Sequence, residues 1–275
     1  MYRWIEGQLG EKVLNIIPTE SGSGATSFVQ TQTGCYIAKA GERQDFLDLY
    51  EKVLPLLESA GLKQSHIVAR SERIVLYEWI AGDTCKVFSE VQTIQAIKYI
   101  KKYFEALRSF PINDVKLERQ NAWDDAQSLE FLLDKLPDTG IFSVSPSIAE
   151  ATARLSKIRD LITKLPKQLI HGDLGADNFL MRGNMVTSII DFTPQIAPEM
   201  YGLCHFLYWN VLWHEESAAS LHTWAKVYSE EVDKVTFDCC MLQAALYRVV
   251  GPLLNGITTV NKRVQLLEVL LESSR

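Results

Sequence analysis

Apolar and polar positions follow two different periods along the chain, and the change comes at about residue 82. Residues 1 to about 18 are weakly patterned, with Val13-Leu-Asn-Ile-Ile17 as the first apolar run before Pro18. A Gly/Ser turn at Ser21-Gly22-Ser23-Gly24 then leads into a strand around Phe28-Val29, and Thr33-Gly34 turns the chain into a second strand, Cys35-Tyr-Ile-Ala-Lys39. Strand alternation puts Tyr36 and Ala38 on one face and Ile37 and Lys39 on the other. From Glu42 to Ala60 the period becomes helical, with Phe46, Leu49, Tyr50, Val53, Leu54 and Leu57 as its stripe and Gly61 as its stop. Pro55 is expected to kink or restart this helix. Ile67-Val-Ala and Arg73-Ile-Val-Leu-Tyr77-Glu78-Trp79-Ile80 follow as a hairpin that runs into Gly82-Asp83.

Beyond Gly82 long helical periods dominate. Ser89 to Arg108 repeats apolar residues at spacings of three and four (Val91, Ile94, Ile97, Ile100, Phe104, Leu107), with Ser89 as a cap and Pro111 past its end. Trp123 to Leu136 and Ser147 to Leu165 read as two more helices, and Met200 to Glu215, Ser217 to Val232, Phe237 to Leu254 and Thr259 to Glu272 as a further four. Between these groups Gln168-Leu-Ile is a short apolar strand, and Phe179-Leu-Met is expected to pair with Thr187-Ser-Ile-Ile across Gly183-Asn184. The pattern predicts an α+β fold with a small antiparallel β lobe carrying one helix, residues 1–82, and a larger, mainly α lobe, residues 83–275.

Composition narrows the class of partner. The chain is 47% hydrophobic and 23% charged, ordinary for a globular protein, and its formal charge of −6 argues against nucleic acid or an anionic membrane as the main partner. No apolar leader opens it and no stretch approaches the ~18 apolar residues that span a bilayer. Cys35, Cys85, Cys204, Cys239 and Cys240 lack metal-ligand or CxxC spacing, so they read as reduced core thiols and the location as cytoplasmic. Oligomeric state leaves no trace in the sequence.

The chemistry concentrates in His171-Gly172-Asp173-x4-Asn178 and in Asp191-Phe192. A hairpin there brings two carboxylates and an amide together, and the oxygens of Asn178 and Asp191 are the hard ligands that Mg²⁺ prefers, with substrate phosphates and water completing its shell. Asp173 lies across the loop, where it could take a proton from an attacking hydroxyl. Lys39, sharing a strand face with a buried residue, is expensive without an anionic partner.

This set of residues resembles the aminoglycoside phosphotransferase and choline kinase group of small-molecule kinases, in which His-Gly-Asp stands where protein kinases have His-Arg-Asp. The resemblance implies a bilobal protein-kinase-like fold. It also implies transfer of the γ-phosphoryl of ATP or GTP to the hydroxyl of an amino alcohol, amino sugar or aminoglycoside-like acceptor. It assigns Asp173 to the acceptor hydroxyl, Asn178 and Asp191 to Mg²⁺, Lys39 to the nucleotide phosphates, and Glu51 to pairing with Lys39. Ser23 and Gly24 would lie in the loop over the phosphates, the main chain of Glu78, Trp79 and Ile80 would meet the purine, and His171 would brace the loop.

The chain departs from the family pattern at Thr193-Pro194, where Gly usually follows Asp-Phe. It departs again at Pro198-Glu199-Met-Tyr-Gly202-Leu203, where another Asp commonly braces the catalytic loop. These changes keep open a nucleotide-binding pseudokinase with a regulatory or scaffold role. A protein kinase is disfavoured by Gly172 and by the lack of an Ala-Pro-Glu segment. The aromatic run Tyr201, Phe206, Tyr208, Trp209, Trp213 and Trp224 reads as core or as a stacking surface for substrate, with Glu199, Glu215 and Glu216 beside it.

Overall fold

The computed structural model describes residues 1–19, 26–117, 126–213 and 220–273. Strands β1 (Val13–Pro18), β2 (Thr26–Thr31), β3 (Cys35–Ala40), β4 (Ile67–Arg70) and β5 (Ile74–Glu78) form an antiparallel sheet in the order β1-β2-β3-β5-β4. Register pairs Ile37 with Phe28 and Tyr77, and Lys39 with Thr26 and Val75. Because side chains alternate, Val29, Ala38 and Leu76 point one way, while Phe28, Ile37, Lys39 and Tyr77 point the other. The first face is closed by a helix the weak N-terminal pattern did not suggest, α1 (Tyr2–Leu9), whose Ile5 packs with Val13, Val29, Ala38 and Leu76. Gly10 ends it in the left-handed region at φ 67°.

The helix after β3, α2 (Gln44–Ser59), runs unbroken through the exposed Pro55. Its buried face (Leu49, Tyr50, Val53, Leu54, Leu57) belongs to the same core as the C-terminal helices. The small lobe is therefore anchored to the large one by apolar burial.

In the large lobe α3 (Glu90–Leu107) starts with a capping box between Ser89 and Gln92, and Gln92 Nε2 donates onward to the Gly183 carbonyl at 3.0 Å. The helix expected over 123–136 is not continuous. Residues 118–125 lie outside the described part, Phe131–Lys135 make one wide π turn, and two 3₁₀ turns follow. The helix expected over 147–165 is two, α4 (Pro146–Lys157) and α5 (Arg159–Lys164), which meet at Ile158 with φ −108° and ψ 10°. Then come β6 (Gln168–His171), β7 (Phe179–Arg182), β8 (Met185–Ile189) and β9 (Pro194–Ala197), followed by α6 (Glu199–Trp213), α7 (Ser220–Tyr228), α8 (Lys234–Leu254) and α9 (Asn261–Ser273). β7 and β8 form the expected hairpin, whereas β9, which pairs with β6, carries no alternation strong enough to have been read. Helix α8 is long and apolar enough, by composition, to cross a membrane, against the sequence expectation, but 83% of its most apolar window is buried inside this protein. It is the central core helix.

Gly202 lies where α6 crosses the rest of the lobe. A Cβ built there would come within 2.6 Å of the Phe104 ring and 3.2 Å of Ile170 Cδ1. This close approach leaves no room for a side chain at this position. Gly202→Val is expected to lower stability by roughly 1 to 3 kcal/mol through overpacking against the buried Phe104. Urea denaturation checks this, and an unchanged midpoint would contradict the packing described.

Candidate active site

The strand β6 delivers His171 to a fully buried position from which it organises the loop. Its Nε2 donates to the Ile190 carbonyl at 3.0 Å, and its Nδ1 accepts the Asp173 N–H at 3.2 Å. Acceptance at Nδ1 needs the neutral ring, and burial pushes its pKa down from 6.5 to about 4 against the Ile190 hydrogen bond, which favours the charged form. Gly172 follows because β9 passes too close for a side chain. Its N–H donates to the Thr193 carbonyl at 2.6 Å, and a Cβ would meet Gln195 Oε1 at 2.8 Å.

Asp173 and Asn178 are brought together across the loop. Asn178 Nδ2 donates to the Asp173 carbonyl at 2.7 Å and approaches its Oδ2 at 3.4 Å, which turns the Asn178 side-chain oxygen away from Asp173. The Ile190 N–H donates to the Asn178 carbonyl at 2.9 Å, so the end of β8 places Asp191 beside it. Asp191 takes φ 59°, the only positive value outside glycine among the described residues. The unusual backbone angle thus falls on Asp191 itself, and Thr193, where glycine was expected, hydroxyl-caps the Asp191 carbonyl at 3.1 Å.

Lys39 forms an ion pair with Asp191 across 152 residues of chain. Burial pushes the Lys39 pKa down, and the charge of Glu42 opposes that shift. Glu51 does not pair with Lys39. It lies on the exposed face of α2 and reaches Arg70 at 3.4 Å, because the helix turns Tyr50 and Leu54 inward and leaves 51 outward. An acid from the small lobe that does line the cleft with Lys39 is Glu42, in the turn before α2.

Lys39, Glu42 and Asp191 border one cavity of about 820 Å³, whose lining also includes Tyr77, Asp177 and the segment Glu78-Trp79-Ile80, while Asp173 and Asn178 lie outside that lining. The Glu78 N–H is bonded to the His66 carbonyl at 2.8 Å, its carbonyl accepts from Ser65 Oγ, and the Trp79 N–H is bonded to the Cys35 carbonyl at 3.2 Å. Sheet pairing has therefore used up the Glu78 main chain. Ile80, buried in the lining, keeps both main-chain groups without a partner among the described residues. Asp83 is stitched to the β7–β8 hairpin by two 2.9 Å bonds with Met181. Ser23 and Gly24 lie outside the described residues.

The oxygens of Asn178 and Asp191 suit a hard divalent cation. Among the described residues no group of three or more His, Cys, Asp or Glu is placed to hold a metal ion. Two residues at the site escaped the sequence reading. Asp177 lines the cleft with its pKa raised by burial and by Asp173. Arg248 of α8 ion-pairs with Asp173 Oδ1 at 3.0 Å. Only the Asp-Asn spacing hinted at the first, and nothing local marked an arginine 75 residues away. Of the aromatic run, Tyr201, Phe206, Tyr208 and Trp224 are core, while Trp209 is half-buried under Arg248. Glu199 is paired with Arg108 at 2.9 Å. Glu215 and Glu216 lie outside the described residues.

The His171 shift has a stability consequence. The unfolded chain binds its proton near pH 6.5 and the folded one near 4, so this contribution is complete above 6.5 and is lost as pH falls toward 4. The stability advantage of wild type over His171→Gln is expected to narrow by on the order of 1 kcal/mol per pH unit in that window. Urea melts of both proteins from pH 7.5 to 4.5 would show a constant gap if His171 were not buried neutral.

Solved structures share this architecture. A thermostable mutant of aminoglycoside phosphotransferase APH(4)-Ia, in a ternary complex with AMP-PNP and hygromycin B, matches at a TM-score of 0.74 and 14% identity, covering 100% of this chain and 98% of that one. An aminoglycoside phosphotransferase of the APH(2″) type in complex with GDP and kanamycin matches at 0.69 and 19% identity, covering 98% and 96%. No curated protein matches in sequence. The model of the phosphotransferase enzyme family matches residues 16–223, most of the chain and every element that carries the cleft. The chain belongs to the phosphotransferase enzyme family.

Proposed function

We propose that this protein transfers the γ-phosphoryl of ATP or GTP to a hydroxyl of a small molecule, with residues 1–82 as the nucleotide-binding lobe and 83–275 as the catalytic and acceptor lobe. The observation that carries this reading is the convergence of Lys39, Asp191 and the unpaired Ile80 main chain on one cavity, next to the hydrogen-bonded Asp173–Asn178 pair. Nucleotide-bound relatives of the same fold, with ADP, AMP-PNP or GDP, support a nucleotide donor. Free thiols at all five cysteines suit a reducing, cytoplasmic setting.

In this scheme Ile80 meets the purine edge through its main chain, and Lys39 holds the nucleotide phosphates. Asn178 and Asp191 would hold Mg²⁺, which supplies charge neutralisation at the phosphates when bound. Asp173 orients the acceptor hydroxyl and takes its proton while the new P–O bond forms and the bond to the β-phosphate oxygen breaks. Positioning and charge are the main requirements, because the transition state is largely dissociative. Retention of Asp173, Asn178, Asp191 and Lys39 in one place favours a working enzyme over a pseudokinase.

Asp173→Asn is expected to lower transfer by about 10²- to 10⁴-fold while leaving nucleotide affinity unchanged. Product formation over a pool of hydroxyl acceptors, beside calorimetry with an ATP analogue, checks this. Wild type that binds nucleotide but phosphorylates nothing would favour the pseudokinase. Glu42→Ala is expected to weaken nucleotide binding, whereas Glu51→Ala leaves it unchanged. The reverse ranking would restore Glu51 as the partner of Lys39.

A further inference from the structure

Asp173 is gripped from the acceptor side by a feature that the phosphoryl-transfer scheme does not use. Arg248 comes from the middle of the core helix α8 and is 7% exposed. Its Nη2 donates to Asp173 Oδ1 at 3.0 Å and to His205 Nδ1 at 3.3 Å, and its guanidinium carbon lies 4.5 Å from the Trp209 ring centroid. His205 is fully buried, with its pKa lowered by burial and by Arg248, so it cannot share the burden as a cation. Behind Arg248, Arg263 of α9 donates to the Arg248 carbonyl at 3.1 Å and lies 5.8 Å from the same Trp209 ring. Burial and the charge of Arg248 push the Arg263 pKa down, and no carboxylate pairs with it among the described residues.

A buried arginine held on a carboxylate does two things. It removes rotational freedom from that carboxylate, and it places a fixed positive charge next to the atom being phosphorylated. Asp173 keeps 43% of its side chain exposed, so a hydroxyl can still reach it. A hydroxyl docking on Asp173 comes within reach of Arg248, which holds the same carboxylate at 3.0 Å, with the half-buried Arg263 and the Trp209 ring packed behind it. An ammonium next to two guanidiniums is repelled in a partly desolvated site, whereas a carboxylate or phosphate is paired.

We propose that Arg248 is the positioning residue for Asp173 and that, with Arg263 on the Trp209 ring, it makes the acceptor a hydroxyl compound carrying an oxyanion close to that hydroxyl, not a polyamine. This rests on the phosphotransferase reading above and adds the acceptor's charge class to it. The shared chemistry is the oxyanion, and carboxylate-bearing and phosphate-bearing acceptors are its two possible sources.

The test uses the full-length protein with Mg²⁺ and ATP against four acceptor sets: hydroxy acids, sugar phosphates, neutral sugars and aminoglycosides. Product is read by mass spectrometry and nucleotide binding by calorimetry. Wild type is expected to prefer one of the two anionic sets by tenfold or more in kcat/KM over aminoglycosides. Arg248→Met is expected to lower kcat at least tenfold with nucleotide affinity unchanged and to erase the anion preference, and Arg248→Lys to restore part of both. Arg263→Met is expected to raise KM for the anionic acceptor while sparing kcat. Should Arg248→Met fail to fold, Arg248→Lys and Arg263→Met carry the same comparison. Aminoglycosides preferred by wild type, or charge selectivity unmoved in both arginine variants, overturns this inference and leaves the phosphotransferase reading intact. Absence of nucleotide binding in wild type overturns both.

Discussion

The contact between Lys39 and Asp191 is the constraint on which the site depends. One partner stands on the central strand of the small lobe and the other at the end of the β7–β8 hairpin, so the pair bridges the two lobes. A mostly buried ammonium needs an anion, and an aspartate held at φ 59° needs its surroundings to fix it. Each supplies what the other lacks. Under the proposed function the same two charges are those that nucleotide phosphates and a divalent cation would engage.

That geometry would be loose if the lobes met through charges alone. They do not. Helix α2 leaves the small lobe and buries its apolar face in the large core, Tyr50 packs 5.7 Å from Phe192, and Phe192 packs 5.8 Å from His171. The hinge is bound to the hairpin through Asp83 and Met181, and the hairpin turn to the cap of α3 through Gln92. Apolar packing and main-chain bonds therefore hold Asp173, Asn178 and Asp191 at distances that side-chain charge by itself would not maintain.

Much of this was legible in the sequence where the signal is local. Alternation placed Lys39 on the same face of β3 as Ile37, the Gly183-Asn184 turn located the β7–β8 hairpin, and Ser89 marked the start of α3. The reading failed where distant chain decides. Glu51 and Glu42 are both acids near one helix, and only the direction of the α2 stripe against the core shows that Glu51 faces Arg70. Arg248 sits in a helix whose pattern is that of buried core, so its charge looks misplaced until Asp173 is seen beside it. Strand β9 is four residues held by pairing with β6, a long-range partner that period-two patterning cannot reveal. The hydroxyl of Thr193 likewise does locally what a glycine was expected to permit.

Under the proposed function the cleft joining Lys39 and Asp191 binds a nucleotide together with a hard divalent cation. The most direct measurement is calorimetric titration of wild type with a non-hydrolysable ATP analogue, with and without Mg²⁺, repeated with Asp191→Asn. Mg²⁺ is expected to tighten binding to wild type at least tenfold, and the substitution to remove most of that gain. Binding equally strong without Mg²⁺, or a gain undiminished in Asp191→Asn, would contradict it.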